Sequence, residues 1–174
     1  YINQVAFSGA SEFVEKFKEA KDANEIIGKF GLGFYSAFMV ADTVTIDTLS
    51  YQEGAAPAFW SCDGSTTYEI SEGTRTERGT TITLHINADS EEFLDEQKIQ
   101  SILDKYCKYL PVEIQFGTRT TSEKDGEDEE GNPKYKEVEV PNIINGNAPI
   151  WSKSPSDLTD EDYLNFYRDL YPFQ

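Results

Sequence analysis

Apolar positions along the chain change period several times, and each change predicts an element. Over residues 8–20, Phe13, Val14 and Phe17 fall on one stripe among Glu12, Glu15, Lys16 and Lys18. That is the period of an amphipathic helix, with Ser8 and Ser11 as candidate caps. A polar break at 21–25 leads to Gly28-Lys29-Phe30-Gly31-Leu32-Gly33, and an apolar, helix-like run follows over 34–41. The period then falls to two. Residues 44–48 alternate, and 58–62 and 67–70 flank Asp63-Gly64 as the arms of a hairpin. Residues 81–86 alternate with Ile82, Leu84 and Ile86 predicted on the buried face. Ile99, Ile102, Leu103, Tyr106 and Leu110 predict a helix over 90–109 that Pro111 stops, and 112–116 reads as one more strand. Residues 123–131 contain no apolar side chain and predict a mobile charged linker or a hairpin tip. Pro149-Ile150-Trp151 is a small apolar anchor. Thr159 is placed to cap a last helix over 160–170, with Tyr163, Phe166, Tyr167 and Leu170 on one face and Pro172 at its end. That helix is too short to stand alone in water. No internal repeat is present.

Charge narrows the function classes. The 174 residues include 32 acidic and 15 basic side chains, for a formal net charge of -17. Such a surface repels nucleic acid and anionic lipid, so neither is an expected partner. A nucleotide would have to be held locally, by backbone N–H groups and a bound cation. No apolar run reaches membrane-spanning length and no signal peptide opens the chain. Cys62 and Cys107 show no CxxC spacing and read as two reduced thiols of a cytoplasmic protein. The chain starts with Tyr1 and enters apolar sequence at once, which reads as a cut inside a larger protein.

The candidate chemistry concentrates in the GxxGxG box. Glycines let a backbone approach a ligand closely and adopt positive φ, and a helix beginning after them presents free N–H groups and the positive end of its dipole. The box is not a P-loop, since no Lys-Ser or Lys-Thr follows, and it is not the GxGxxG of a dinucleotide fold. On its own it weighs evenly between a phosphate cradle and a packing device. His85, the one histidine, reads as a hydrogen-bonded structural residue within a strand. Asp47, Asp63 and Glu69 lack metal-ligand spacing, and residues 125–130 lack the order of a calcium loop. No metal site is expected. Trp60 and Trp151 read as core or interdomain anchors.

Four separated stretches shift that balance. Residues Gly28 to Phe38 resemble the second glycine box of the ninety-kilodalton heat-shock chaperones. Ala6-Phe7-Ser8-Gly9-Ala10-Ser11-Glu12-Phe13 resembles the segment that opens that family's lid. Arg78-Gly79-Thr80-Thr81-Ile82-Thr83-Leu84-His85 resembles the strand flooring its nucleotide pocket. Pro149-Ile150-Trp151-Ser152-Lys153 with Asp160-Glu161-Asp162-Tyr163 resembles the entry to its middle domain. The matches keep the family's order and span nearly the whole chain. The resemblance implies an α/β fold, specifically a partial GHKL-type (Bergerat-type) α+β two-layer sandwich with a mostly antiparallel sheet and helices on one face. It also implies three regions: the later part of a nucleotide-binding domain (1–117), a charged linker (118–145) and the start of a middle domain (146–174). The cofactor it implies is ATP or ADP with Mg²⁺. Gly28, Gly31, Leu32, Gly33 and Phe34 would lie on the phosphate side, and Thr80 would help hold the adenine through water. Ser8 and Gly9 would open the mobile lid. Client proteins and a homodimer are the partners implied for the intact protein.

Two positions depart from the family pattern. Phe7 stands where Lys is frequent, and Tyr1 where many members carry Asn, which removes two polar side chains from the phosphate side. By the same resemblance the catalytic Glu, the Mg²⁺-binding Asn and the adenine-binding Asp belong upstream, and a completing Arg downstream. No catalytic residue is therefore expected within these 174 residues, and the segment alone is expected to show no ATPase activity and little or no nucleotide binding. Two other functions fit parts of the pattern: an ATP-independent interaction module using the acidic surface, and another GHKL-type ATPase.

Overall fold

A computed structural model describes residues 2–10, 14–15, 28, 30–127, 132–146 and 149–171. The chain divides into two compact units, Tyr1–Lys98 and Ile99–Gln174. It is a mixed α/β structure in which both sheets are antiparallel, as the strand and helix periods and the family resemblance implied.

The first unit is built on a four-stranded sheet. Its strands are β1 (Ala41–Leu49), β2 (Ala58–Cys62), β3 (Glu69–Glu72) and β4 (Gly79–Ile86), in the order β3-β2-β1-β4. Directly paired residues share a sheet face, so the register sorts the side chains. Ile46 pairs with both Trp60 and Ile82, Val44 with Cys62 and Leu84, and Thr48 with Ala58 and Thr80. These define one largely apolar face. Thr45, Asp47, Ser61, Thr81 and Thr83, together with Phe59, define the opposite, largely polar one. Among the described residues the buried apolar core is Ala41, Val44 and Ile46, all on the central strand β1. Each larger side chain there contributes about 2 kcal/mol by leaving water. Ahead of β1, residues Gly33–Met39 form a 3-10 helix rather than the longer helical run expected, and Ala41 already belongs to the strand. Phe34 of this segment packs edge-on against Trp60 at 5.7 Å between ring centroids.

Ile82 does not take the buried position its alternation predicted. It is 50% exposed, whereas Leu84 and Ile86 are half-buried. β4 is an outer strand, and the aromatic cover sits on the far side of β1, over β2. The hairpin forms, with β3 starting two residues later than expected. Its six-residue connection is stitched by side chains: Ser65 N–H donates to the Asp63 carboxylate at 3.0 Å and Gly64 N–H to Cys62 Sγ at 3.3 Å. Gly64 takes the positive φ, 84°, that this connection requires. His85 is exposed on the polar face, and its side chain makes no hydrogen bond among the described residues. Both cysteines are free thiols.

The helix expected over 90–109 is two elements. Residues Ala88–Leu94 form a 3-10 segment, and α1 covers Glu96–Tyr106. Asp95 separates them in an extended conformation and accepts the Lys98 N–H at 2.9 Å, which makes it the cap of α1.

In the second unit β5 (Gln115–Glu127) and β6 (Pro133–Ile143) pair as a long antiparallel ribbon. The charged stretch therefore continues β5 as far as Glu127, while 128–131 are outside the described residues. Residues 112–114 precede the strand instead of forming it. Asn145 organises them: its amide donates to the Leu110 and Val112 carbonyls at 2.7 and 2.6 Å, and its oxygen accepts from Ile114 N–H at 2.7 Å. Trp151, 63% exposed, packs with Tyr109 and Phe166 at 5.1 and 5.8 Å as the rim of a three-ring cluster, not as a core anchor.

The last helix, α2 (Asp160–Leu170), has the predicted bounds and a full capping box. Asp162 N–H donates to Thr159 Oγ1 at 3.2 Å, and Thr159 N–H donates back to the Asp162 carboxylate at 2.8 Å. The Thr159 hydroxyl, and secondarily its N–H, hold the Asp162 carboxyl below its ordinary value of 3.8. A lowered folded-state pKa contributes stability that is complete above 3.8 and lost as pH falls through the folded value. Thr159→Ala is expected to cost α2 about 1 kcal/mol. In an acid titration followed by circular dichroism, helical signal should fall away at higher pH in the variant than in the parent; superposable curves would reject the cap's role.

Candidate functional site

The glycine box is assembled against the first residues of the chain. Gly31 has φ of 66°, in the left-handed region that glycine alone enters cheaply. The direction a Cβ would take from it is filled by Phe7 main chain: the carbonyl oxygen is closest, with the carbonyl carbon at 2.7 Å and the nitrogen at 2.8 Å. Gly28 and Gly33 are the opposite case. Both are exposed, and among the described residues nothing lies within 4 Å of where a Cβ would stand. Among the described residues the box thus has one face closed by its own chain and open space beside the outer two glycines. Leu32, 51% exposed, precedes the 3-10 helix without any side-chain cap. Tyr35 N–H is spent on the Leu32 carbonyl at 3.1 Å. The amides of Gly33 and Phe34, in the first turn, are left without a partner inside that helix.

Ser8 reaches the same place. Its hydroxyl donates to the Gly28 carbonyl at 3.0 Å and accepts the Ala10 N–H at 3.2 Å. Gly9 lies half-buried between them, and the expected first helix starts only at residue 10; most of it, with the polar break, falls outside the described residues. The structure therefore brings together Ser8, Gly9, Gly28, Gly31, Leu32, Gly33 and Phe34. Thr80 stands apart from them on β4. Its hydroxyl pairs with that of Thr48 at 2.7 Å, and it shares the apolar sheet face with Ile82, Ile46 and Trp60, where Phe34 also packs.

Sequence reasoning missed the contacts that seat the segment before Ser8. The Tyr35 hydroxyl donates to the Ile2 carbonyl at 2.7 Å, and the Trp60 indole N–H donates to the Asn3 side-chain oxygen at 2.9 Å. The hydroxyl-bearing Tyr35 inside a mostly apolar run was the available signal. Among the described residues no group of three or more His, Cys, Asp or Glu could hold a metal ion, and no helix is long and apolar enough to cross a membrane.

An antiparallel α+β chain with a glycine box closed on one side by Phe7 main chain fits the class the sequence resembled, and comparison with known proteins agrees. The profile described as "Hsp90 protein" matches residues 120–172. "Chaperone protein htpG" of Bacteroides fragilis strain 638R is 52% identical over 172 residues, which is 99% of this chain and 24% of that protein. The HtpG of Porphyromonas gingivalis strain ATCC 33277 is 49% identical over the same shares of the two chains. That of Oceanobacillus iheyensis is 41% identical over 97% of this chain and 27% of its own length. The chain belongs to the ninety-kilodalton heat-shock protein family. Within that family it is similar to the bacterial HtpG proteins, and it spans about a quarter of the length of the curated relatives it matches.

Proposed function

We propose that this chain supplies the phosphate side of an ATP site in a molecular chaperone that binds ATP and assists protein folding and remodelling. The observation that carries the reading is the box itself: Gly31 is packed against Phe7 main chain, while among the described residues nothing fills the Cβ direction of Gly28 or Gly33. Phosphate oxygens would be met there by the main-chain N–H groups of Gly33 and Phe34, with Gly31 and Leu32 setting their direction, and Ser8 and Gly9 would start the moving lid. Thr80, on the sheet face that carries Phe34, would serve the adenine end. Backbone donors suit an anion on a chain of net charge -17, because they cost no opposing side-chain charge. Mg²⁺ would arrive with the nucleotide. Its protein ligand, the catalytic Glu and the completing Arg are assigned to parts of the protein outside these residues, so the segment alone would turn over no ATP. The same reading places the protein in the cytoplasm, as a homodimer acting on client proteins. Its regions would be a nucleotide-binding part (1–117), a charged connection (118–145) and the start of a middle domain (146–174).

Calorimetric titration of the full-length protein with ADP and Mg²⁺ tests the reading. Saturable binding of one nucleotide per chain is the expected result. Absence of binding, with client association intact, would leave the ATP-independent interaction module in its place.

A further inference from the structure

Residues 2–8 form a strap across the glycine box, and two side chains outside both pieces hold it down. The Tyr35 hydroxyl donates to the Ile2 carbonyl at 2.7 Å, and the Trp60 indole N–H donates to Asn3 Oδ1 at 2.9 Å. The strap's other end is fixed by Ser8 through the Gly28 carbonyl at 3.0 Å. Between these points the chain turns tightly, with Phe7 N–H on the Gln4 carbonyl at 3.2 Å. Ala6 sits at a φ of 60°. A left-handed alanine costs roughly 1–2 kcal/mol and persists only where the surroundings hold it. The pins on either side of Ala6 are that hold, and the result of the turn is that Phe7 main chain lies against Gly31.

We propose that Tyr35 and Trp60, with Asn3 as the acceptor for Trp60, are positioning residues of the nucleotide site: they seat the strap, and the seated strap fixes Gly31 and with it the direction of the amides that follow. Both anchors are well placed for this. Tyr35 lies in the 3-10 helix immediately after the box, and Trp60 is on the sheet strand against which Phe34 of that helix packs. The helix and β2, in contact through Phe34 and Trp60, therefore carry both donors. The nucleotide part of this inference rests on the function proposed above; the seating of the strap does not.

Amide hydrogen exchange and ADP titration on the full-length protein separate the two. Loss of one hydrogen bond raises the strap's opening constant about fivefold. Asn3→Leu and Tyr35→Phe are each expected to speed exchange at the Phe7 and Ala10 amides by about that factor and to weaken ADP binding by up to the same factor, because affinity scales with the fraction of competent sites. Asn3→Asp keeps an acceptor for the indole and is expected to restore both readouts, which a loss of general stability would not do. Parent-like exchange and affinity in Asn3→Leu and Tyr35→Phe would overturn the proposal, as would an Asn3→Asp variant no better than Asn3→Leu. If the parent protein binds no ADP, the proposed function fails, while the exchange rates still decide whether these residues seat the strap.

Discussion

Gly31→Ala is expected to unseat the strap and to lower ADP affinity at least about tenfold, the largest effect of any single methyl group added to the box. Two costs add. The φ of 66° charges any non-glycine residue roughly 1–2 kcal/mol. The new Cβ would also meet Phe7 main chain, with the carbonyl carbon at 2.7 Å and the nitrogen at 2.8 Å. A flexible side chain could swing aside, but backbone cannot without moving its neighbours, and here those are the left-handed Ala6 and the hydrogen-bonded Ser8. Together the costs exceed the 1.4 kcal/mol that corresponds to a tenfold change. Gly33→Ala is the matched control. Among the described residues nothing lies within 4 Å of its Cβ direction, and its φ is not positive, so the same methyl should leave exchange at the Phe7 and Ala10 amides unchanged. Calorimetry together with hydrogen exchange reads both variants. A Gly31→Ala protein that binds ADP like the parent, with Phe7 and Ala10 still protected, would refute the packing argument.

The elements that sequence revealed best are those whose signal is local. The final helix was legible to the residue because Thr159 and Asp162 form a complete cap three positions apart. β1 was legible because Val44 and Ile46 alternate with polar positions that face the other way. The break between Leu94 and Glu96 also had a local signal, the capping aspartate Asp95, but the apolar period running on through Ile99 and Ile102 masked it. The charged ribbon was obscured differently: Val138 and Val140 alternate in β6, yet the surrounding lysines and glutamates give the composition of a linker. The glycine box was visible, and what holds it was not. Asn3 meets Trp60 across 57 positions and Ile2 meets Tyr35 across 33. No period or cap encodes such pairs, because they depend on where the strap lands after the sheet has formed. Ile82 shows the same limit, since alternation gives a face but not whether a neighbouring element covers it.

Asn145 carries the second large expectation, and it concerns the fold rather than the site. One carboxamide satisfies three backbone groups at 2.6–2.7 Å: the Leu110 and Val112 carbonyls and the Ile114 N–H. It thereby ties the turn after α1 to the base of the β5–β6 ribbon, where Ile144 N–H also meets the Ile114 carbonyl at 2.9 Å. At about 1 kcal/mol for each hydrogen bond, Asn145→Ala is expected to cost about 3 kcal/mol, measured by urea unfolding and by faster exchange at the Ile114 amide. Asn145→Asp discriminates the mechanism more sharply. The carboxylate still accepts from Ile114, but it replaces two donated hydrogen bonds with negative charge facing two carbonyl oxygens. That environment disfavours the charged form and raises the carboxyl's folded-state pKa above the ordinary 3.9 or so. A raised carboxyl pKa destabilises the fold at neutral pH and releases the penalty as pH falls through the folded-state value, so the variant should regain stability on mild acidification while Asn145→Ala does not. If the two variants respond alike to pH, or if Asn145→Ala unfolds at the parent's urea concentration, the three hydrogen bonds do not hold the base of the ribbon.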